Sequence, residues 1–199
     1  MNQDIENPKY KDIVKTAHEL FWKHGISRVT IQEICDKANV SKMTFYKFFS
    51  NKLELGKKVI DDIMDDNIQK YRDIMREDIS FEQKVKKQLK AKFEGTREIS
   101  PELVNDIYSN KKLGLQKYWQ KRANEITREV INDYKEAQNH GWIRKDLKIE
   151  FIFYFSNKIS DFLSDPQLLA MYESMQDLIM EIANLFYYGI FPHNNGKKE

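Results

Sequence analysis

The segment from Thr30 to Leu55 constrains the fold of this chain most, because it contains three predicted helix starts, at Thr30, Ser41 and Ser50. Thr30 is followed three residues later by Glu33, the spacing of a capping box, which opens a helix. Asn39 comes next, and asparagine tolerates the left-handed conformation that ends many helices. Ser41 is a favourable N-cap for a further helix. The segment therefore predicts two short helices joined by a tight turn, the arrangement of a helix-turn-helix.

The second of these short helices has one inward face. Phe45 and Phe49 lie four residues apart, so both are expected to face the core. Ser50 is expected to cap the following helix, and Lys52 falls in the first turn of that helix. A positively charged lysine at a helix start interacts unfavourably with the helix dipole. A phosphate bound at the same helix start would interact favourably with both the dipole and the lysine.

With these residues the segment resembles the TetR family of bacterial transcriptional repressors over residues 10 to 58. The matching positions are Gly25, Thr30, Ile34, Val40, Ser41, Lys42, Thr44, Phe45, Tyr46, Phe49, Lys52 and Leu55. The resemblance implies an all-α chain with a helix-turn-helix DNA-binding domain at residues 1–50. A long helix would join it to a helical domain at residues 51–199 that binds an effector and dimerises. Beyond Leu55 the family shares architecture rather than sequence.

Three positions depart from the family pattern. Asn39 replaces the usual glycine and can serve the same turn. Cys35 replaces the usual alanine, and we expect it to be a small buried apolar residue, with a redox-sensing role as the alternative. Phe48 stands where a polar aromatic or histidine is common. Because Phe48 has no hydroxyl or ring nitrogen, no phosphate contact is assigned to it.

The composition agrees with a helical chain. Only 7 glycines and 4 prolines occur in 199 residues, and strand-like alternation is scarce. A single cysteine excludes an internal disulfide framework and fits a reducing compartment. No apolar run approaches the length of a membrane span, and the polar start MNQDIENPKY is unlike a signal peptide. We expect a cytoplasmic protein with no membrane partner and no metal or other cofactor.

The positive charge of the chain is concentrated in its first part. Residues 1–58 carry eleven Lys and Arg against seven Asp and Glu, whereas the whole chain has a net charge of only +2. Six of these cations are lysines between Lys37 and Lys58. A cluster of this kind is usually a solvated face, but here it coincides with the helix-turn-helix, where it favours a nucleic-acid partner.

The remaining sequence predicts about nine helices in all. Beyond the two short ones, the expected helices are Pro8–His24, Asn51–Met75, Lys112–Asn139, Leu147–Leu163 and Leu168–Tyr188, with two more beginning at Ser80 and Pro101. The last residues, PHNNGKKE, are expected to be disordered.

Eight residues are predicted to contact double-stranded DNA: Thr30, Gln32, Lys42, Met43, Thr44, Tyr46, Lys47 and Lys52. The lysines suit phosphate oxygens, and Thr44 and Gln32 suit base edges. The alternatives are an ordinary polar role for Thr44, partial core packing for Tyr46 and simple solvation for Gln32. Because the recognition helix has no arginine, we expect few guanine contacts and more weight on phosphates, thymine methyl groups and DNA shape.

The DNA-binding domain predicted at residues 1–50, which we call the head, is small, so specific binding calls for two copies of it. We predict a homodimer whose last two long helices pack as a four-helix bundle through Phe155, Ile159, Phe162, Leu178, Ile182 and Leu185. The alternative is that both stripes are internal core. The second short helix of each copy, the recognition helix, would then enter one of two successive major grooves of a near-palindrome, roughly 34–36 Å apart or somewhat more.

The resemblance also implies a small-molecule effector that releases the repressor from DNA. Aromatic residues that could line its pocket are Tyr71, Phe93, Tyr108, Tyr118, Trp119 and Phe155, and they suggest an apolar or aromatic ligand. The alternative for each of them is a place in the ordinary core.

Two other classes of function compete with a regulator. One is a helical ligand-sensing or partner-binding protein that does not bind an operator, against which Lys42, Thr44, Tyr46 and Lys52 argue. The other is a helical enzyme, but the histidines are scattered and no HExxH motif or glycine-rich phosphate loop is present. Both repression and activation are compatible with this sequence.

Overall fold

A computed structural model describes the chain from residue 6 to residue 192, and this part contains ten α-helices. They are α1 Pro8–His24, α2 Ile31–Lys37, α3 Lys42–Phe48, α4 Lys52–Arg76, α5 Phe81–Gly95, α6 Pro101–Tyr108, α7 Leu115–Asn139, α8 Ile149–Leu163, α9 Pro166–Leu169 and α10 Met175–Gly189. The all-α prediction is confirmed. The predicted disorder of the last residues lies outside the described residues, apart from Pro192.

The chain forms two compact units. Unit 1 comprises the residues up to Asn67 together with Glu98–Trp119, and unit 2 comprises Ile68–Arg97 together with the residues from Gln120 onward. The helices α4 and α7 contribute residues to both units. These units are defined by packing, whereas the boundary predicted between residues 50 and 51 separates a DNA-binding domain from an effector-binding domain. That functional boundary stays a prediction.

The core of unit 1 is built by the helices that carry the helix-turn-helix. Ile13, Phe21, Ile34, Phe45 and Leu55 are all fully buried, so α1 to α4 each contribute at least one side chain to it. Burying side chains of this size stabilises the head by about 1.5 to 3 kcal/mol each. This core fixes the direction of α3, whose opposite face is left to solvent.

The turn between α1 and α2 is held by a buried carboxylate from α6. Asp106 is 3% exposed, and its Oδ2 accepts a hydrogen bond from the backbone N–H of Ser27 at 2.7 Å. Its Oδ1 accepts from the Ser27 hydroxyl at 2.5 Å and from the amide of Asn110 at 2.9 Å. Because the buried charge is surrounded by donors, it is satisfied without a counter-ion in direct contact.

Gly25 is required at this turn for two reasons. Its φ of 75° and ψ of 161° lie in a region that is essentially restricted to glycine. A Cβ at this position would also lie 2.9 Å from Asp106 Oδ2 and 2.9 Å from the Cβ of Glu102. The glycine therefore lets α6 approach the turn closely enough for the Asp106 hydrogen bonds to form.

Unit 2 has its own apolar core, drawn from α5, α7, α8 and α10. Val85, Ala137, Ile143 and Ile152 are among its buried members. Phe155 of α8 stacks on Phe186 of α10, with ring centroids 5.8 Å apart, and the two helices pack together there.

The predicted helix Leu168–Tyr188 is wrong at its beginning. The short α9 ends at Leu169, and α10 begins only at Met175. The Ser174 side chain caps α10 by accepting a hydrogen bond from the Asp177 N–H at 3.2 Å. Met171 and Met175 continue the apolar pattern at helical spacing, so the pattern did not indicate a new helix start at Ser174. The extra short helix is why ten helices are found where about nine were predicted.

Within the part of the chain that the structure covers, no helix is both long enough and apolar enough to cross a lipid bilayer.

Replacing Gly25 by alanine is expected to lower the free energy of unfolding by about 2 to 4 kcal/mol, because backbone strain and a steric clash add together. Gly114→Ala is the matched control in the same unit. Gly114 also has a positive φ, of 65°, but a Cβ there would meet nothing within 4 Å. That variant is expected to lose about 1 to 2 kcal/mol. Chemical denaturation measures both, and equal losses would contradict the predicted clash with α6.

Candidate nucleic-acid interface

The start of α2 is the capping box that the sequence predicts. The Glu33 N–H donates to Thr30 Oγ1 at 3.1 Å, and the Thr30 N–H donates to a carboxylate oxygen of Glu33 at 2.6 Å. The second of these bonds lowers the pKa of Glu33, because it favours the charged form. The Thr30 hydroxyl also hydrogen-bonds the Glu33 carboxylate, which lowers the same pKa further. Gln32 is exposed, and its amide donates to Asp36 one turn later at 2.6 Å.

The tight turn between α2 and α3 also follows the prediction. Asn39 has a φ of 52°, in the left-handed region. The N–H of Val40 donates to the carbonyl of Cys35 at 3.0 Å, and the Ser41 hydroxyl accepts from the Thr44 N–H at 3.1 Å. The hydroxyls of Ser41 and Thr44 are 3.0 Å apart and are hydrogen-bonded. The Thr44 side chain is half-buried, and its hydroxyl is engaged with Ser41, the N-cap of α3.

The surface of α3 presents four exposed side chains. We call Lys42, Met43, Tyr46 and Lys47 the α3 tip. Met43 is 84% exposed and Tyr46 is 54% exposed, although Phe45 between them is fully buried. The Lys47 ammonium lies 5.6 Å from the centre of the Phe48 ring, and Lys42 makes no ion pair with any residue that the structure describes. An apolar centre flanked by two lysines is thus offered to a partner.

Lys52 has a structural role that the sequence did not reveal. Its ammonium donates to the backbone carbonyls of Ser27 at 2.9 Å and Val29 at 2.6 Å. Desolvation lowers the pKa of Lys52, while the charges of Asp106 and Glu33 act in the opposite direction. The ammonium thereby ties the first turn of α4 to the segment that leads into α2. One of its three N–H groups is left for a further acceptor.

The cap of α4 differs from the prediction. Ser50 was expected to cap this helix, but the Asn51 side chain does so, because its carbonyl oxygen accepts from the Glu54 N–H at 3.0 Å. Both residue types are good N-caps, so the sequence alone could not separate two neighbours.

Cys35 lies inside the head. Its side chain is 1% exposed, and burial raises the pKa of the thiol. The reactive form of cysteine is the thiolate, which this environment disfavours. These observations agree with a small apolar core residue.

Unit 2 carries an exposed apolar stripe on its last two long helices. It consists of Phe151, Tyr154 and Phe162 on α8 with Leu185 and Tyr188 on α10, each between 40% and 67% exposed. Phe162 and Leu185 are among the residues predicted for a dimer interface, whereas Phe151, Tyr154 and Tyr188 are not. Helical periodicity identifies an apolar face on a helix, but it does not show which residues of that face are buried by other helices of the same chain.

The other four predicted interface residues differ in exposure. Phe155, Ile159 and Ile182 are half-buried. Leu178 is only 1% exposed, so its side chain belongs to the core of unit 2 and is not available to a second chain.

The six aromatic residues predicted for an effector pocket are divided between the two units. Tyr108 and Trp119 form an edge-to-face pair in unit 1, where the Tyr118 hydroxyl also donates to Asp61 at 2.5 Å. Phe93 is 52% exposed on α5, and Phe155 packs between α8 and α10. Tyr71 alone among the six lines the small cavity that unit 2 contains.

That cavity has a volume of about 10 Å³, and it mixes aromatic and polar walls. Its lining consists of Tyr71, Met75, Phe81, Gln88, Asp133, Tyr134 and Tyr187. A space of this size holds about one water molecule or one small polar group. Of these lining residues the sequence predicted only Tyr71; Met75 lies on the same helix α4, and the other five come from α5, α7 and α10.

Comparison with known proteins places the head in a family. Residues 13–59 match the sequence profile described as bacterial regulatory proteins, tetR family. The HTH-type transcriptional regulator YerO of Bacillus subtilis (strain 168) is 34% identical over 95 residues. That alignment covers 46% of this chain but only 32% of YerO, so the chain spans about a third of the length of this relative.

Solved structures share the fold over nearly the whole chain. The fatty acid degradation regulator FadR from Bacillus halodurans has a TM-score of 0.64 at 20% identity, with 92% of this chain and 97% of FadR covered. The ketosteroid transcriptional regulator KstR2 of Mycobacterium tuberculosis has a TM-score of 0.55 at 16% identity, with 94% and 97% covered. At these identities the likeness concerns the fold alone. The similarity to bacterial regulatory proteins of the tetR family therefore concerns residues 13–59, and the similarity over the rest of the chain is one of fold.

Proposed function

We propose that this protein is a transcriptional repressor that binds a near-palindromic operator as a homodimer in the cytoplasm and is released by a small-molecule effector. The observation that carries the proposal is the α3 tip, an exposed Met43 and Tyr46 between two lysines on an otherwise well-packed head. A helix of this size with one face in the core and the other in solvent suits the major groove of B-form DNA. No catalytic role is proposed.

The chemistry of the α3 tip favours the DNA backbone and thymine over guanine. Lys42 and Lys47 suit phosphate oxygens, and the Tyr46 phenol can donate to another. The Met43 side chain is apolar and suits a thymine methyl group. Because α3 has no arginine, the planar two-pronged guanidinium contact to guanine is absent from this surface. Sequence preference would therefore depend on methyl contacts and DNA shape.

Lys52 serves the interface in a second way. Two of its N–H groups hold the carbonyls of Ser27 and Val29, and the third can reach a phosphate near the start of α4. An ammonium that is already fixed loses little side-chain entropy when it binds. Lys52 would thus act both as a tie within the head and as a rigid phosphate contact.

Dimerisation through the apolar stripe would supply the second head. Aromatic and aliphatic side chains that are 40% to 67% exposed on two adjacent helices form a patch that soluble monomers rarely leave in water. The half-buried Phe155, Ile159 and Ile182 lie on the same two helices and would widen the interface. A two-fold axis between two copies would pair α8 and α10 with their equivalents as a four-helix bundle.

Replacing Lys42 by alanine is expected to weaken binding to every duplex, because a phosphate contact carries no sequence information. Two lysines are lost per dimer, so the slope of log affinity against log salt should become shallower by about 2, at about 0.9 per phosphate. Fluorescence anisotropy at several salt concentrations measures this slope. Lys135→Ala removes the same charge from an exposed position on α7 and should leave the slope unchanged.

Replacing Met43 by alanine is expected to change sequence preference instead. It removes an apolar contact to one base in each half-site and leaves the charge of the head unaltered. Selection of duplexes from a random library measures the preference before and after the change. A uniform loss on all sequences, with the same ranking of duplexes, would argue against reading of a base by Met43.

Replacing Leu185 by glutamate is expected to convert the dimer into a monomer, because a charge would be buried in the apolar stripe. Sedimentation velocity gives the mass, and anisotropy should show a parallel loss of operator affinity. Met171→Glu is the matched control, because Met171 is 75% exposed but lies outside α8 and α10. A Leu185→Glu variant that stays dimeric would refute the proposed interface.

A further inference from the structure

The cavity in unit 2 contains a buried acceptor that its own chain leaves unused. Gln88 is 8% exposed, and its Nε2 donates to the sulfur of Met75 at 3.3 Å. Its Oε1 has no hydrogen-bond partner among the residues that the structure describes. Buried carbonyl oxygens are almost always paired, so this one indicates a donor that arrives from outside the chain.

A carboxylate lines the same cavity. Asp133 Oδ2 accepts a hydrogen bond from the Tyr71 hydroxyl at 3.0 Å. From residue 6 to residue 192, no lysine, arginine or histidine forms an ion pair with Asp133. Lys84, one turn before Gln88 on α5, donates its ammonium to the carbonyl of Met75 at 2.7 Å. The cavity thus combines a negative charge with a free acceptor.

The aromatic walls also suit a positive charge. Burial raises the pKa of Tyr187 to about 12 and that of Tyr134 well above its ordinary value, so both phenols are neutral at physiological pH. Together with Tyr71 and Phe81 they supply four aromatic rings around one small space. Neutral aromatic rings attract cations through their quadrupoles, and a desolvated site strengthens this attraction.

We propose that this cavity receives the protonated amino group of the effector, so that the ligand class is an organic ammonium with an apolar body. An N–H of the ammonium would donate to Gln88 Oε1, and its charge would be balanced by Asp133. The volume of about 10 Å³ fits an ammonium group, which is close to water in size. The apolar body would displace the flexible side chain of Met75. This inference rests on the proposed function only in treating the ligand as an effector.

Isothermal titration calorimetry on the full-length protein tests the ligand class with four probes of equal chain length. Hexylammonium has the charge and the N–H donors, hexyltrimethylammonium has the charge alone, hexanol has a neutral donor and hexanoate has the opposite charge. We expect hexylammonium to bind tightest and hexanoate not to bind. Tighter binding of any of the other three probes, or no binding of hexylammonium, would overturn the proposal.

Variants assign the binding to the cavity. Asp133→Asn keeps an acceptor for the Tyr71 hydroxyl and removes the charge, so the affinity for hexylammonium should fall about tenfold or more. Gln88→Met removes the free acceptor at similar volume and should also weaken binding. Asp73→Asn changes the same residue type at an exposed position on α4 and should have no effect. Unchanged affinity in both cavity variants would place the ligand elsewhere and refute the site.

DNA binding is measured separately, without any probe, by anisotropy on the operator. Loss of ammonium binding with intact DNA binding would overturn only this inference. Ammonium binding by a protein that ignores every duplex would overturn the proposed function and leave the ligand class standing.

Discussion

The turn that joins α1 to α2 is the constraint on which the DNA-binding surface depends. The Asp106 carboxylate accepts hydrogen bonds from the backbone N–H and the hydroxyl of Ser27. The Lys52 ammonium donates hydrogen bonds to the backbone carbonyls of Ser27 and Val29. A carboxylate from α6 thus pairs with the donors of one short segment, and an ammonium from α4 pairs with its carbonyl acceptors. Charge-assisted hydrogen bonds of this kind are worth about 1.5 to 3 kcal/mol each when partly buried. They fix where α2 begins, and α2 in turn fixes α3.

Local chemistry made the head predictable from sequence. The capping box at Thr30, the left-handed Asn39 and the Ser41 cap each depend on residues within three or four positions of one another, so their outcome is readable without the rest of the fold. The inward phenylalanines of α3 follow from helical periodicity in the same way. The α1 boundaries were predicted correctly for the same reason, with proline at the start and Gly25 at the end.

Features that depend on distant residues were not predictable. Asp106 meets Ser27 across 79 positions of sequence, and Lys52 meets it across 25, so no local pattern marks either contact. The cavity is formed by four helices, and only Tyr71 of the six chosen aromatics lines it. Periodicity identified α8 and α10 as apolar but could not tell a core residue such as Leu178 from an exposed one such as Leu185. The short α9 was missed because an apolar repeat ran through its end.

The single cysteine gives this molecule a built-in reporter. Cys35 is the only thiol in the chain, and it sits in the core of the head rather than in unit 2. An alkylating reagent can reach it only when the head opens, so the rate of modification measures the opening free energy of that unit by itself. Occupancy of the groove-facing helix by nucleic acid should slow that rate, without any label having to be introduced into the protein.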